Sequence, residues 1–257
     1  MQSVSNLNEQ LLTSRKDVFH CCDQIVKVSF IIPAFNEADS IEQCLSSIHS
    51  LKGDSYEILV VDNNSTDGTA VIAEALCNRV IPCRMQGIAA ARNEGAMHAK
   101  GEYLAFIDAD ARVSEEWMDS ALSVVSQTGV VSGWNYFRER NPLLSLYFNS
   151  YSVVFFALQA VSALLGSSLV AGNNLLIRRS LFERTGGFPR YVGEDVKLAR
   201  ILAALKIRSA FCLGMRIGYS SRRFRKQGFL RTMMLWISSV FSNISEHDYG
   251  LDYSKSS

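Results

Sequence analysis

With 257 residues, 48% of them hydrophobic, the chain can bury the core of one large domain or of two fused small ones. A formal net charge of +1 excludes a uniformly basic or acidic protein, but the charges are unevenly placed: fourteen Lys/Arg stand against three acids from Arg178 to Arg231, and eleven against nineteen from Met1 to Ile177. The later segment is expected to meet something anionic, the alternative being an ordinary solvated face. No nucleic-acid-binding motif accompanies those charges, so nucleic acid is not expected as a partner.

In chain order, Met1 to Asp23 is polar and lacks an apolar signal core. Six cysteines form no Cys-x-x-Cys pair and no zinc-like spacing with His. Together these predict a cytoplasmic, reducing compartment. Val28 to Pro33 is a short apolar run that predicts a strand. The following helix carries Ile41, Leu45 and Ile48 on one stripe, and Asp39 with Glu42 three residues on predicts its N-terminal cap. Tyr56 to Asp62 is the second predicted strand, Asn63 to Gly68 a polar turn, and Thr69 to Leu76 the next helix. Arg79 to Pro82 reads as a short third strand, Gly87 to Lys100 as an Ala-rich helix, and Glu102 to Asp108 as a fourth strand. Ser114 opens a helix with Trp117, Leu122 and Val125, and a fifth strand starts at Gly129.

Near-continuous apolar strands separated by amphipathic helices predict an α/β fold with a mostly parallel sheet covered on both faces. Functional groups in such sheets gather beyond the carboxyl ends of the strands. Here those ends read Pro33-Ala-Phe35-Asn36-Glu37, Asp62-Asn-Asn64-Ser65-Thr-Asp67-Gly68 and Asp108-Ala109-Asp110. Two carboxylates one residue apart where a strand gives way to a loop can share a divalent cation, whose shell phosphate oxygens complete. The chain has no Gly-x-Gly-x-x-Gly and no Gly-x-x-x-x-Gly-Lys-Ser/Thr, so dinucleotide and P-loop binding lack support.

The second half changes character. Leu143 to Ile177 contains no charged residue. Its length invites a transmembrane reading, but a single span would separate two halves of one site, so a core, interfacial or re-entrant helix is expected. Phe229 to Phe241 is amphipathic and follows the basic cluster Arg222 to Lys226, which suits either a membrane interface or packing on the domain.

The order of these motifs, continued by Ala91-Arg92-Asn93-Glu-Gly95, Gly172-Asn173-Asn174, Gly186-Gly-Phe188, Gly193-Glu194-Asp195 and Ser221-Arg222-Arg223-Phe224, resembles the family 2 glycosyltransferases. The resemblance spans roughly Val26 to Phe224. It implies the GT-A fold, a Rossmann-like sheet flanked by helices, and inverting transfer of one sugar from a nucleotide-diphosphate sugar to an acceptor hydroxyl. By that resemblance Asp110, with Asp108, would hold Mg²⁺ or Mn²⁺ against the diphosphate. Asp108 would also face the ribose, and Asp62 the base. Pro33, Phe35, Asn36, Glu37, Asn64 and Ala109 would line the nucleotide-sugar pocket. Arg92 would reach the base edge or the diphosphate. Asp195 would be the general base, with Glu194 as the neighbour that could exchange roles with it. Gly172, Asn173 and Asn174 would line the sugar or acceptor pocket, and Arg222 and Arg223 would face the diphosphate.

The chain departs from processive members in lacking Gln-x-x-Arg-Trp after the base, so single addition is expected. The acceptor is read as a sugar, a lipid or a lipid-linked molecule, with peripheral contact at the cytoplasmic membrane face. A sugar-phosphate nucleotidyltransferase and a non-catalytic nucleotide-sugar-binding module are the alternatives. The expected division is a polar extension over 1–25 and a catalytic domain over 26–228. Within that domain, 26–135 form the donor half and 136–228 the acceptor half. An amphipathic C-terminal helix and tail are expected over 229–257.

Overall fold

A computed structural model of the protein describes residues 26–219 apart from 54, 140, 165–169 and 192. The N-terminal extension, Arg222, Arg223 and the amphipathic stretch at 229–241 lie outside the described residues. The strands are β1 (Val28–Ala34), β2 (Tyr56–Asp62), β3 (Arg79–Pro82), β4 (Tyr103–Ile107), β5 (Ala111–Val113), β6 (Val130–Phe137), β7 (Asn174–Arg178) and β8 (Ala210–Tyr219). The helices are α1 (Ile41–His49), α2 (Thr69–Glu74), α3 (Ile88–His98), α4 (Trp117–Thr128), α5 (Pro142–Leu164), α6 (Arg179–Thr185) and α7 (Glu194–Ala204).

One sheet takes the order β3-β2-β1-β4-β7-β6-β8-β5. The predicted parallel half is present: β1 runs parallel to β2 and β4, and β2 to β3. Then β7 inserts antiparallel between β4 and β6, so the predicted fifth strand, β6, is not a neighbour of β4. β8 runs parallel to β6, and β5 closes the edge antiparallel to β8.

Strand alternation sends successive side chains to opposite faces, and each face builds its own core. Phe30, Ile32, Ile58, Val60, Ala105 and Ile107 pack with α1 and α4 on one side; Ile31, Leu59, Val61, Leu104 and Phe106 pack with α3, α6 and α7 on the other. The Phe30 ring lies 5.4 Å from Trp117. On the second side the Phe106 and Phe188 rings meet edge to face at 5.0 Å. Gly95 lets α3 approach the sheet: a Cβ there would fall 2.4 Å from Ile31 Cγ2 and 2.9 Å from Val61 Cγ2.

Several boundaries differ from the sequence expectation. α1 is capped at Ser40, without a side-chain cap hydrogen bond. Ser40 Oγ instead donates to Glu37 Oε2 at 2.6 Å, so the expected Asp39–Glu42 box is replaced by a contact to the preceding loop. α2 ends at Glu74 rather than Leu76. Ser114 does not open α4; its N–H is taken by Arg216 O, and the helix starts at Trp117. β5 had no sequence counterpart, because a three-residue edge strand is too short to show alternation.

The uncharged stretch forms α5, which packs Phe148 on Phe137 with ring centroids 5.2 Å apart. Leu143 and Leu146 on the same helix are 77% and 71% exposed. No helix among the described residues is long and apolar enough to cross a membrane.

Candidate active site

The loops that follow β1 and β2 lock each other by side-chain to backbone hydrogen bonds. Asn36 N–H donates to Ser65 Oγ at 3.1 Å, Glu37 N–H to Thr69 Oγ1 at 2.8 Å, and Ala38 N–H to Asp67 Oδ2 at 3.0 Å. In return Thr66 N–H donates to Asn36 Oδ1 at 2.9 Å. Asn36 adopts φ 52, a left-handed conformation that Asn tolerates better than most residues. Burial works against ionisation of Asp67, but the Thr69 and Ala38 donors outweigh it and hold the carboxyl below its usual range.

Asp62 is the half-buried last residue of β2, and its Oδ1 accepts from Ser65 N–H at 3.3 Å. Beside it, buried Asn63 donates to Cys83 O and Met85 O and accepts from Gly87 N–H at 2.8 Å, pinning the segment between β3 and α3. Asn64 is exposed, with its amide on Arg84 O and Gln86 Oε1. Pro33 is buried inside β1, and Ala109 is 3% exposed in the core. Of the expected pocket residues, Phe35, Asn36, Glu37, Asp62 and Asn64 keep exposed or half-buried side chains, whereas those of Pro33 and Ala109 are buried.

Asp108 and Asp110 are both half-buried where β4 turns into β5. Beneath them Cys44 Sγ donates to Asp108 O at 3.5 Å. Burial first, then the negative charges of Asp110, Asp108 and Glu37, push the Cys44 thiol far up, so it stays protonated and inert.

Arg92, from α3, is 2% exposed. Its Nη2 donates to Asp108 Oδ1 at 2.9 Å and its Nη1 to Glu194 Oε1 at 2.5 Å. The guanidinium also stacks over Phe188, 5.2 Å from the ring centroid. Burial opposes its charge, but Asp108, Glu194 and Asp195 more than compensate and raise its pKa. The sequence aimed Arg92 at a base edge or a diphosphate; the structure turns both terminal nitrogens onto protein carboxylates.

Asp195 lies in the first turn of α7, next to that cluster. Its Oδ1 accepts from Val196 N–H at 2.8 Å and its Oδ2 faces Gly172 N–H at 3.5 Å. Burial raises the Asp195 pKa and dominates over Arg92 and the backbone donors, which pull it down. Gly172 is required by closeness: a Cβ would sit 2.7 Å from Arg92 Nη1 and 3.2 Å from Asp195 Cβ. Asn173 is half-buried and its Oδ1 accepts from Asn135 Nδ2 at 3.0 Å. Asn174 is fully buried: Trp117 Nε1 donates to its Oδ1 at 2.9 Å, and its amide donates to Asn135 Oδ1 and Met215 O. Its side-chain amide is thus taken up by protein partners from three segments.

Among the described residues, no group of three or more His, Cys, Asp or Glu is placed to hold a metal. Asp108 and Asp110 carry hard carboxylate oxygens two positions apart in sequence, with Asp108 Oδ1 engaged by Arg92. Carboxylate oxygen is the donor type that Mg²⁺- or Mn²⁺-like cations take alongside phosphate and water.

The sequence matches the profile described as Glycosyl transferase family 2 over residues 29–186. The chain belongs to glycosyl transferase family 2. It is 34% identical over 182 residues to the glycosyltransferase AglE of Haloferax volcanii, covering 66% of this chain and 59% of AglE. The chain thus spans about three-fifths of that relative's length. It is 33% identical over 100 residues to the putative glycosyltransferase EpsH of Bacillus subtilis, covering 37% of this chain and 29% of EpsH. Among solved structures it resembles the mannosyltransferase PcManGT of Pyrobaculum calidifontis in complex with GDP-Man and Mn²⁺, at TM-score 0.65 and 22% identity over 89% of this chain and 68% of that one. It also resembles S. aureus TarS 1-349 in complex with UDP-GlcNAc, at TM-score 0.58 and 20% identity over 76% of this chain and 58% of that one. The family 2 fold is the GT-A fold expected from the motifs.

Within this family 2 domain, some organising residues had no role assigned from sequence. Asn93 clamps the Phe188 backbone from both sides, donating to Phe188 O and accepting from Phe188 N–H, each at 2.8 Å. Phe188 in turn floors Arg92. Both stood inside quoted motifs, Ala91-Arg92-Asn93 and Gly186-Gly-Phe188, so position was available and partnership was not. Asn135 had no sequence signal at all, since nothing in β6 marks one amide as facing Asn173 and Asn174.

Proposed function

We propose that this family 2 domain catalyses inverting transfer of one sugar from a nucleotide-diphosphate sugar to an acceptor hydroxyl, with Asp195 as general base. The carrying observation is the placement of Asp195. It is held by the Val196 and Gly172 amides beside an ion cluster that already occupies Glu194, and burial raises its pKa, which makes the carboxylate a stronger proton acceptor. Glu194 serves to orient Arg92 rather than to exchange roles with Asp195. Residues 26–135 form the donor half and 136–228 the acceptor half.

On the donor side Asp62, Asn36 and Glu37 would meet the nucleoside, and Asp108 the ribose. Asp110, with Asp108, would hold Mg²⁺ or Mn²⁺, a cation that neutralises charge on a departing nucleoside diphosphate. The GDP-Man, Mn²⁺ and UDP-GlcNAc bound by the structural neighbours support a nucleotide-sugar donor and a divalent cation here. On the acceptor side, the exposed Leu143 and Leu146 of α5 support a lipid or lipid-linked acceptor met at the cytoplasmic membrane face.

The test is thermal stabilisation by a panel of nucleoside diphosphates with and without Mn²⁺, followed by product analysis with the matching donor sugar. A ligand bound by the native state alone raises stability by about 2.7 kcal/mol at a hundredfold excess over its dissociation constant. Metal-dependent stabilisation by one nucleotide, with free nucleoside diphosphate as product, is expected. Release of pyrophosphate would instead mark a nucleotidyltransferase, and no response to any nucleotide would reject the donor site.

A further inference from the structure

Resting on the glycosyl-transfer reading, we propose that Arg112, Arg138 and Tyr136, gathered around Gly218, form an anion subsite that holds a phosphate group of the acceptor. The residues come together through sheet register. Arg112 on β5 and Tyr136 on β6 both lie directly opposite Gly218 of the intervening β8. Gly218 is a notch: a Cβ there would fall 2.6 Å from Arg138 Cδ and 2.7 Å from Tyr136 Cζ, so the Arg138 stem and the Tyr136 ring both lie over it. Ala111, Val113, Met215 and Ile217 enter the core built on α1 and α4. By alternation Arg112 and Tyr136 therefore face the other side of the sheet, the side that carries α3 and α7 and hence Arg92 and Asp195. Arg112 follows Asp110 by two residues.

The charge pattern asks for an anion. Two other strand arginines have carboxylate partners: Arg178 with Glu102 at 3.9 Å and Arg216 with Glu116 at 3.1 Å. Among the described residues neither Arg112 nor Arg138 has an ion pair or a side-chain hydrogen bond. Like charges juxtaposed in a sheet destabilise it. Planar guanidiniums can each meet a pair of oxygens of a tetrahedral phosphate, and Tyr136 can donate a further hydrogen bond. Leu143 and Leu146, exposed shortly after Arg138 in the chain, suit a phosphate carried on an apolar tail.

The full chain is titrated with glycerol 3-phosphate, with phosphatidylcholine vesicles containing phosphatidic acid, and separately with a nucleoside diphosphate plus Mn²⁺. Arg112→Gln and Arg138→Gln, each checked for an unchanged thermal midpoint, are compared with wild type. Loss of one charge-assisted contact is expected to weaken phosphate binding about tenfold or more in each variant, with Arg112→Lys intermediate. Nucleoside diphosphate binding should remain within about twofold. Glycerol 3-phosphate binding that the variants lose supports a soluble phosphorylated acceptor; vesicle binding alone, lost in the same variants, supports a lipid-linked one. Equal binding by the variants, or no binding by wild type, overturns the subsite. Parallel loss of nucleoside diphosphate binding assigns the arginines to the donor and also overturns it. Absent nucleotide binding by wild type would strike the glycosyl-transfer reading alone, because the phosphate titration reads out independently.

Discussion

Arg92 Nη2 donates to Asp108 Oδ1 at 2.9 Å from a side chain only 2% exposed. Its other terminal nitrogen reaches Glu194, 102 residues further along the chain. One buried guanidinium thus ties the carboxylate at the end of β4 to the start of α7, the helix that carries Asp195. Carboxylates from two distant segments are held in one frame by a single guanidinium. Its Nε has no hydrogen-bond partner among the described residues, and the Phe188 ring covers the group instead.

Removing that cation should be costly. Breaking a buried ion pair by deleting one partner typically destabilises by about 3–5 kcal/mol, since the remaining charges stay buried and unpaired. Arg92→Met is expected to lose stability of about that size in denaturant unfolding, and Arg92→Lys less, with one contact retained. A Met variant as stable as wild type would show that the cluster is not under electrostatic load.

Asp195→Asn should lower transfer by about a hundredfold to ten-thousandfold, the usual contribution of a positioned general base, while nucleoside diphosphate binding persists. Stability should move the other way. The folded-state pKa of Asp195 is raised by burial, so the native state holds this proton more tightly than the unfolded chain. Its contribution is fully present at low pH and is lost as pH rises through the raised pKa. At neutral pH the Asn variant is therefore expected to be at least as stable as wild type. Single-turnover rates should rise with pH through that same ionisation. Loss of nucleotide binding in the variant would reject the base assignment.

Asp110→Asn should weaken nucleoside diphosphate binding only when Mn²⁺ is present, because the amide keeps the shape and loses the anionic oxygen. Titrations with and without metal would separate this from a general pocket defect. Equal metal dependence in the variant and wild type would dismiss Asp110 as a ligand.

Two glycines should respond differently to a single methyl. Gly95→Ala places a Cβ against Ile31 and Val61, and overpacking of this kind costs about 1–3 kcal/mol. Gly172→Ala instead presses on Arg92 and Asp195, so transfer should fall further than stability. Paired measurements of unfolding and turnover check the contrast. Similar loss in both properties for both variants would contradict it.

The end of β2 at Asp62, the end of β4 one residue before Asp108, and the helix stripe on Ile41, Leu45 and Ile48 were legible in the chain. Each is a local property, fixed by apolar alternation or by a motif a few residues long. The capping expectation at Asp39 failed because Ser40 and Glu37 found each other across the loop instead. β5 was missed because three residues carry too little pattern. Asn174 looked like a pocket amide and is a buried brace, because its neighbours Trp117, Asn135 and Met215 come from three separate segments.

By itself the sequence determined that strands and helices alternate, that polar groups end three successive strands, and that carboxylates suited to a cation and to a base are present. The tertiary structure alone decided that β7 enters between β4 and β6, that Arg92 turns inward to Asp108 and Glu194, and that Arg112 pairs opposite Gly218, over which the Arg138 stem lies. The reason is physical. Periodicity records which side of an element is buried, whereas the pairing of charges far apart in sequence depends on strand order and register, which no local window of the chain contains.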